Sequence, residues 1–117
     1  MPRYLTMIRM DENVPMPDAD PEFDARIGAL FKEITEAGVM VETAGLAPTA
    51  EGTRVTWEDG EIGYTDGPFT ETKEVVAGYA ILRAADKAEA LKWVRGFLSA
   101  HPKNWNFACE VREITEE

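Results

Sequence analysis

The chain has 117 residues, of which 44% are hydrophobic and 29% charged, with 22 acidic side chains against 12 basic ones and a net charge of −10. This length is enough for one domain, 1–117, with a small core. The acidic balance repels phosphate backbones and argues against direct nucleic-acid binding.

No apolar run reaches the ~20 residues of a membrane span, and no signal-peptide core opens the chain. The single cysteine, Cys109, excludes an internal disulfide and suits a reducing compartment. A cytoplasmic protein without membrane contact is expected.

Tyr4–Met10 reads as a first strand, with Tyr4, Thr6, Ile8 and Met10 on one face and Leu5, Met7 and Arg9 on the other. Residues 11–20 hold two prolines and four acids and read as a loop. A first helix is expected from Asp20 as N-cap and Pro21 at the first helical position. Phe23, Ile27, Leu30, Phe31 and Ile34 form its buried stripe, and Gly38 caps its end. Gly28 weakens this helix, and close packing on a sheet would explain its presence.

Val39–Ala44 is a short strand. Thr53–Glu58 and Glu61–Thr65 make a hairpin around Asp59-Gly60, a strong two-residue turn signal. In that register Trp57 faces Ile62 and Val55 faces Tyr64, giving one apolar face.

The hairpin runs into Asp66-Gly67-Pro68-Phe69-Thr70-Glu71-Thr72-Lys73-Glu74. Gly67 supplies backbone freedom, Pro68 rigidity, Asp66 an acceptor for nearby amides, and Phe69 an apolar anchor. The segment is either a rigid connector or a cleft rim carrying Asp66, Glu71 and Lys73. Asp66-Gly67-Pro68-Phe69, Glu71-Thr72-Lys73-Glu74 and Gly78-Tyr79 together resemble the signature of the YCII-related proteins of the DGPF type. The resemblance spans nearly the whole chain. It implies a ferredoxin-like domain that dimerises into an α/β barrel and no settled activity. Some relatives sit beside, or are fused to, extracytoplasmic-function sigma factors, which makes a sigma factor a candidate partner. A His-Asp pair suggested in founder members draws its histidine from the first helix, which has none here, so that pair is not carried over.

Val75–Arg83 is the main strand. Val76, Gly78, Ala80 and Leu82 alternate with Ala77, Tyr79, Ile81 and Arg83. The second helix opens on Asp86-Lys87-Ala88-Glu89, a capping box, and buries Leu91, Val94, Phe97 and Leu98, with Trp93 widening the stripe. Pro102 closes it, and Phe107–Ile114 is the last strand.

The order β-α-β, hairpin, β-α-β is that of an α+β, ferredoxin-like split βαβ with an antiparallel sheet and an inserted β-hairpin. Two helices cover one face of such a sheet. The other face carries few charges and calls for a partner, most simply a second copy. A homodimer is therefore expected on physical grounds as well as from the resemblance.

His101, the only histidine, has two readings. It caps the negative end of the second helix, or it is a general base oriented by Asp66. Arg9, Glu71, Lys73 and Tyr79 are candidate ligand-binding residues. Cys109 reads as an inert buried thiol. One histidine and one cysteine make no metal cluster, and no glycine-rich phosphate loop or hydrolase elbow is present, so no cofactor is expected. Two functions stay open: a dimeric module binding a small ligand or a regulatory partner, and a small enzyme doing acid/base chemistry in a cleft.

Overall fold

The computed structural model describes residues 1–116. Its elements are β1 (Arg3–Met10), α1 (Phe23–Glu36), β2 (Met40–Gly45), a 3-10 turn (Thr49–Glu51), β3 (Thr53–Glu58), β4 (Glu61–Asp66), β5 (Val75–Arg83), α2 (Lys87–Ser99) and β6 (Ala108–Glu113). The main sheet has the order β2-β5-β1-β6, and β3 and β4 form a separate two-stranded sheet. All pairings are antiparallel. β5 lies between β1 and β2, and β1 lies between β5 and β6. This is the interleaving of two split βαβ units in a ferredoxin-like α+β fold.

The two faces of the sheet follow the pleat. Tyr4, Thr6 and Ile8 sit opposite Leu82, Ala80 and Gly78 on β5, and Thr6 and Ile8 also oppose Val111 and Cys109 on β6. This face meets the helices. One core cluster joins Ile34, Val39, Leu82 and Val94, and a second joins Tyr4, Ala84 and Ala90. Ala90, which is fully buried, was not part of the expected stripe of α2; a small side chain there lets the helix approach the strand.

Simple alternation along β5 does not hold. Ile8 pairs with Gly78 but Arg9 pairs with Val76, so Ala77 is an extra residue at a bulge. Val76 therefore shares the side of Arg9 rather than that of Gly78. At Gly78 an added Cβ would lie 3.1 Å from the Ala44 carbonyl oxygen, so the close neighbour that the small residue admits is the backbone of β2.

The expected start of α1 shifts. Its N-cap is Glu22, with no side-chain cap. The Asp20 carboxylate is instead held by both terminal nitrogens of Arg26, each at 2.7 Å. The bidentate guanidinium outcompetes a single helix N–H and lowers the Asp20 pKa from 3.8 to about 2. A depressed carboxylate stabilises the fold above its unfolded pKa. That contribution is expected to fade as pH falls from about 4 to about 2, and acid titration of Asp20→Asn should lack this component. The pair is partly exposed, so the effect is small.

The end of α1 is as expected. Gly38 has φ +72°, its N–H donates to Thr35, and that of Val39 donates to Ile34. This is a Schellman motif, and Val39 and Ile34 also meet in the core. Gly28 differs. It is exposed, and nothing lies within 4 Å of an added Cβ, so packing on the sheet does not account for it. Gly28→Ala is expected to stabilise the protein by about 0.5–1 kcal/mol through helix propensity, read from the denaturant midpoint.

α2 begins at the expected cap. Asp86 Oδ1 accepts from the Glu89 amide at 2.9 Å, and Glu89 accepts from the Ala85 amide.

Candidate functional site

Between the sheet and the two helices lies a cavity of about 190 Å³. Its floor is Thr6, Ile8 and Ala80; Phe31 and Ile34 from α1 and Phe97 from α2 close over it. The core around it is sparse, since no large side chain of the described residues is fully buried. The polar groups at its wall are already engaged. Thr6 Oγ1 donates to the Ala80 carbonyl at 3.1 Å, and Thr43 Oγ1 donates to that of Tyr79 at 2.9 Å. Each hydroxyl can still accept. Burial raises the pKa of the Cys109 thiol, which also lines the cavity and stays protonated at neutral pH. No carboxylate or histidine is among the residues that line the cavity. Sequence periodicity marked these positions as core, and only a count of their small side chains (Thr6, Gly78, Ala80) hinted that the core is not filled.

The Asp66–Glu74 segment is a built corner. The Gly67–Pro68 bond is cis. The Gly67 N–H donates to Gly52 at 2.9 Å, and the Phe69 N–H donates to Thr49 Oγ1 at 3.3 Å. Thr49 is held in turn by Glu12, which accepts from both its amide and its hydroxyl. Asp66 accepts from the Thr53 hydroxyl at 2.9 Å. Arg54 pairs with Glu71, bonds Thr72, and lies 4.0 Å above the Phe69 ring. Phe69 is thus anchored to the hairpin base rather than to the main core. The hydrogen bond from Arg54 lowers the pKa of Glu71. Lys73 is exposed and joins no ion pair among the described residues.

The remaining candidates separate. Arg9 lies on the helix-free face, with Nη1 3.2 Å from Glu110 and Nε 4.0 Å from Glu74; that Nε is shielded from solvent and has no acceptor. Tyr79 shares this face, donates to Glu42 at 2.7 Å, and has a raised pKa from that hydrogen bond and from burial. His101 sits elsewhere, after α2, among the rings of Phe23, Phe97, Trp105 and Phe107.

His101 Nδ1 is 2.7 Å from the Phe97 carbonyl. A carbonyl only accepts, so Nδ1 carries the proton and His101 caps the helix end. The place an orienting carboxylate would take is filled by that carbonyl. Asp66 is engaged by the Thr53 hydroxyl at the base of the hairpin, and His101 by the Phe97 carbonyl at the end of α2.

Trp105 Nε1 donates to the Pro17 carbonyl at 2.6 Å, which ties the 11–20 loop to the end of the sheet. Its neighbours Asn104 and Asn106 line a second pocket, of about 310 Å³, with residues 14–17. Among the described residues no group of three or more metal-binding side chains forms, and no helix is long and apolar enough to cross a membrane.

These features define an α+β protein of ferredoxin-like topology with an apolar hollow under its helices and a rigid corner carrying a hairpin. The sequence profile of the YCII-related domain matches residues 3–116, and the chain belongs to that family. It is similar to an uncharacterized protein of Rhizobium meliloti (strain 1021), with 30% identity over 114 residues that cover 95% of this chain and 90% of the relative.

Proposed function

We propose that this YCII-related protein is a small-ligand-binding module that works as a homodimer, with the ligand seated between sheet and helices. The observation that carries this reading is the sheet–helix cavity of about 190 Å³ with its apolar wall. A dry cavity of ~150 Å³ is enough to take up a benzene-sized molecule. The engagement of His101 Nδ1 by the Phe97 carbonyl, where an orienting carboxylate would bind, favours binding over the alternative of acid/base catalysis. An enzyme of that kind would have to draw on residues such as Asp66, His101, Arg9 and Tyr79 across a subunit boundary.

The dimer reading rests on exposed surface. The chain exposes 8174 Å², whereas a compact monomer of 13.0 kDa exposes about 6,300 Å². The excess, about 1,800 Å², exceeds the roughly 800 Å² per partner of a standard interface. The helix-free face, with Leu5, Met7, Tyr79 and Ile81 half-buried in the single subunit, is the surface proposed for it, and joining two such faces gives an α/β barrel. The orphaned Arg9 Nε would find an acceptor there. In a cytoplasmic setting, ligand occupancy could be passed to a regulatory partner, with an extracytoplasmic-function sigma factor the candidate suggested by the family resemblance.

Thermal unfolding in the presence of indole and of benzene tests the binding reading. Ligand that binds only the folded state raises the midpoint with concentration. Indole, which carries a donor, is expected to shift it further than benzene. Ala80→Leu, which fills the cavity floor, is expected to abolish both shifts. Equal shifts in the wild type and in Ala80→Leu would remove the cavity from consideration.

A further inference from the structure

The β3–β4 hairpin has a face that nothing in the subunit covers. Val55 pairs with Tyr64 and Trp57 with Ile62, and these four are 61%, 75%, 72% and 55% exposed. With ~200 Å² per aromatic ring, Trp57 and Tyr64 alone present about 300 Å² of contiguous surface. The opposite face carries Arg54, Thr56, Glu58 and Glu61, so the hairpin is amphipathic, and its apolar side is as exposed as its polar one. It packs on no other element to any extent. The radius of gyration shows the projection: 16.5 Å, against about 13 Å for a compact chain of this length.

The hairpin is held stiffly. Its turn residues Asp59 and Gly60 have φ of 52° and 80°, as a tight two-residue turn requires. Its base is fastened by Thr53 to Asp66, Gly67 to Gly52, and Arg54 to both Glu71 and Thr72. A stiff apolar projection offers contact at little ordering cost.

We infer that the hairpin is an arm that lays its Val55–Trp57–Ile62–Tyr64 face on a second copy of this chain. This rests on the dimer reading and goes beyond its sheet-to-sheet contact. Two arguments select a second copy. The excess of about 1,800 Å² over a compact monomer is larger than one standard interface side of ~800 Å² and accommodates both the sheet face and the arm. Each copy carries a net charge of −10, so copies meet best where carboxylates are absent. The arm's apolar face holds no carboxylate along its four central positions, with Glu58 and Glu61 turned to the opposite face. Exposed tryptophan and tyrosine are also the residue types that dominate binding energy in interfaces.

Sedimentation equilibrium of the full chain, the double variant Trp57→Ser/Tyr64→Ser and the sheet-face variant Met7→Glu decides the matter. The wild type is expected at twice the 13.0 kDa subunit mass. The arm variant is expected to dissociate at least 100-fold more readily while keeping its far-UV circular dichroism. Iodide quenching gives a second reading that leaves the arm's other residues intact. The contribution of Trp57, taken as the difference between wild type and Trp57→Phe, should be protected at high protein concentration and accessible on dilution. An unchanged dissociation constant in the arm variant, with Met7→Glu dissociated, overturns the arm and leaves the sheet dimer standing. So does a Trp57 that iodide reaches equally in the dimer, the result expected if the arm serves some other macromolecule. A wild type that remains monomeric at about 100 µM, where a dimer with Kd near ~1 µM would be almost fully formed, overturns both.

Discussion

Gly67→Ala is expected to dismantle the corner that joins the hairpin to β5. An alanine Cβ at this position would lie 1.7 Å from the Thr49 carbonyl oxygen and 2.6 Å from its carbon. Both are backbone atoms, so no side-chain rotation relieves the clash. Thr49 is also fixed by Glu12 and by the Phe69 amide. Either the 3-10 turn or the Asp66–Phe69 segment must move, and the Gly67–Gly52 hydrogen bond goes with it. Overpacking of this kind costs about 1–3 kcal/mol, and the backbone origin of the clash puts the expected loss at the upper end. Gly52→Ala is the internal comparison, because its added Cβ meets the Thr49 oxygen at 3.4 Å, an ordinary contact. Urea midpoints should fall clearly for Gly67→Ala and little for Gly52→Ala. Amide exchange should show the Gly67 N–H losing protection. Equal effects of the two substitutions would mean that the corner yields freely.

A comparable loss is expected at the centre of the sheet. Leu82 is 3% exposed and joins Ile34, Val39 and Val94 in the main core cluster. Leu82→Ala removes its transfer energy and leaves a void beside an existing cavity, at a cost of about 2–5 kcal/mol. Against a total stability of roughly 5–15 kcal/mol for a domain, this is a large share. Leu46→Ala, at a residue 49% exposed, should change stability by less than about 0.5 kcal/mol. Denaturant unfolding of the two variants side by side measures the contrast. The added void at Leu82 should also enlarge the hollow under the helices and alter the thermal shifts given by benzene and indole.

Much of the fold could be read from local chemistry. The Asp86 cap, the Schellman end at Gly38 and the Asp59-Gly60 turn each depend on two to five neighbouring residues. The hairpin register followed from the turn, and Trp57 opposite Ile62 is as expected. The structure departs from local chemistry where a residue outside the motif competes. Asp20 has the chemistry of an N-cap, but Arg26 takes its carboxylate. The bulge at Ala77 moved Val76 to the side of Arg9, which no periodicity in β5 announces. Gly67 was expected for its backbone freedom, whereas its role is to let the Thr49 carbonyl approach.

The candidate site divides along the same line. That His101 ends a helix was evident from Ser99-Ala100-His101-Pro102, and its bond to the Phe97 carbonyl agrees. That Asp66 serves the hairpin base, bonded to Thr53, could not be read from its turn chemistry alone. By itself the sequence determined the elements, their order, the family and the amphipathic hairpin, because caps, turns and alternating strands act over a few residues. Only the tertiary structure decided that the residues under the helices leave a hollow, that Arg9 and Tyr79 share the helix-free face, and that the apolar side of the hairpin stays uncovered. Those are sums of volume and surface over segments far apart in the chain, and no local pattern encodes them.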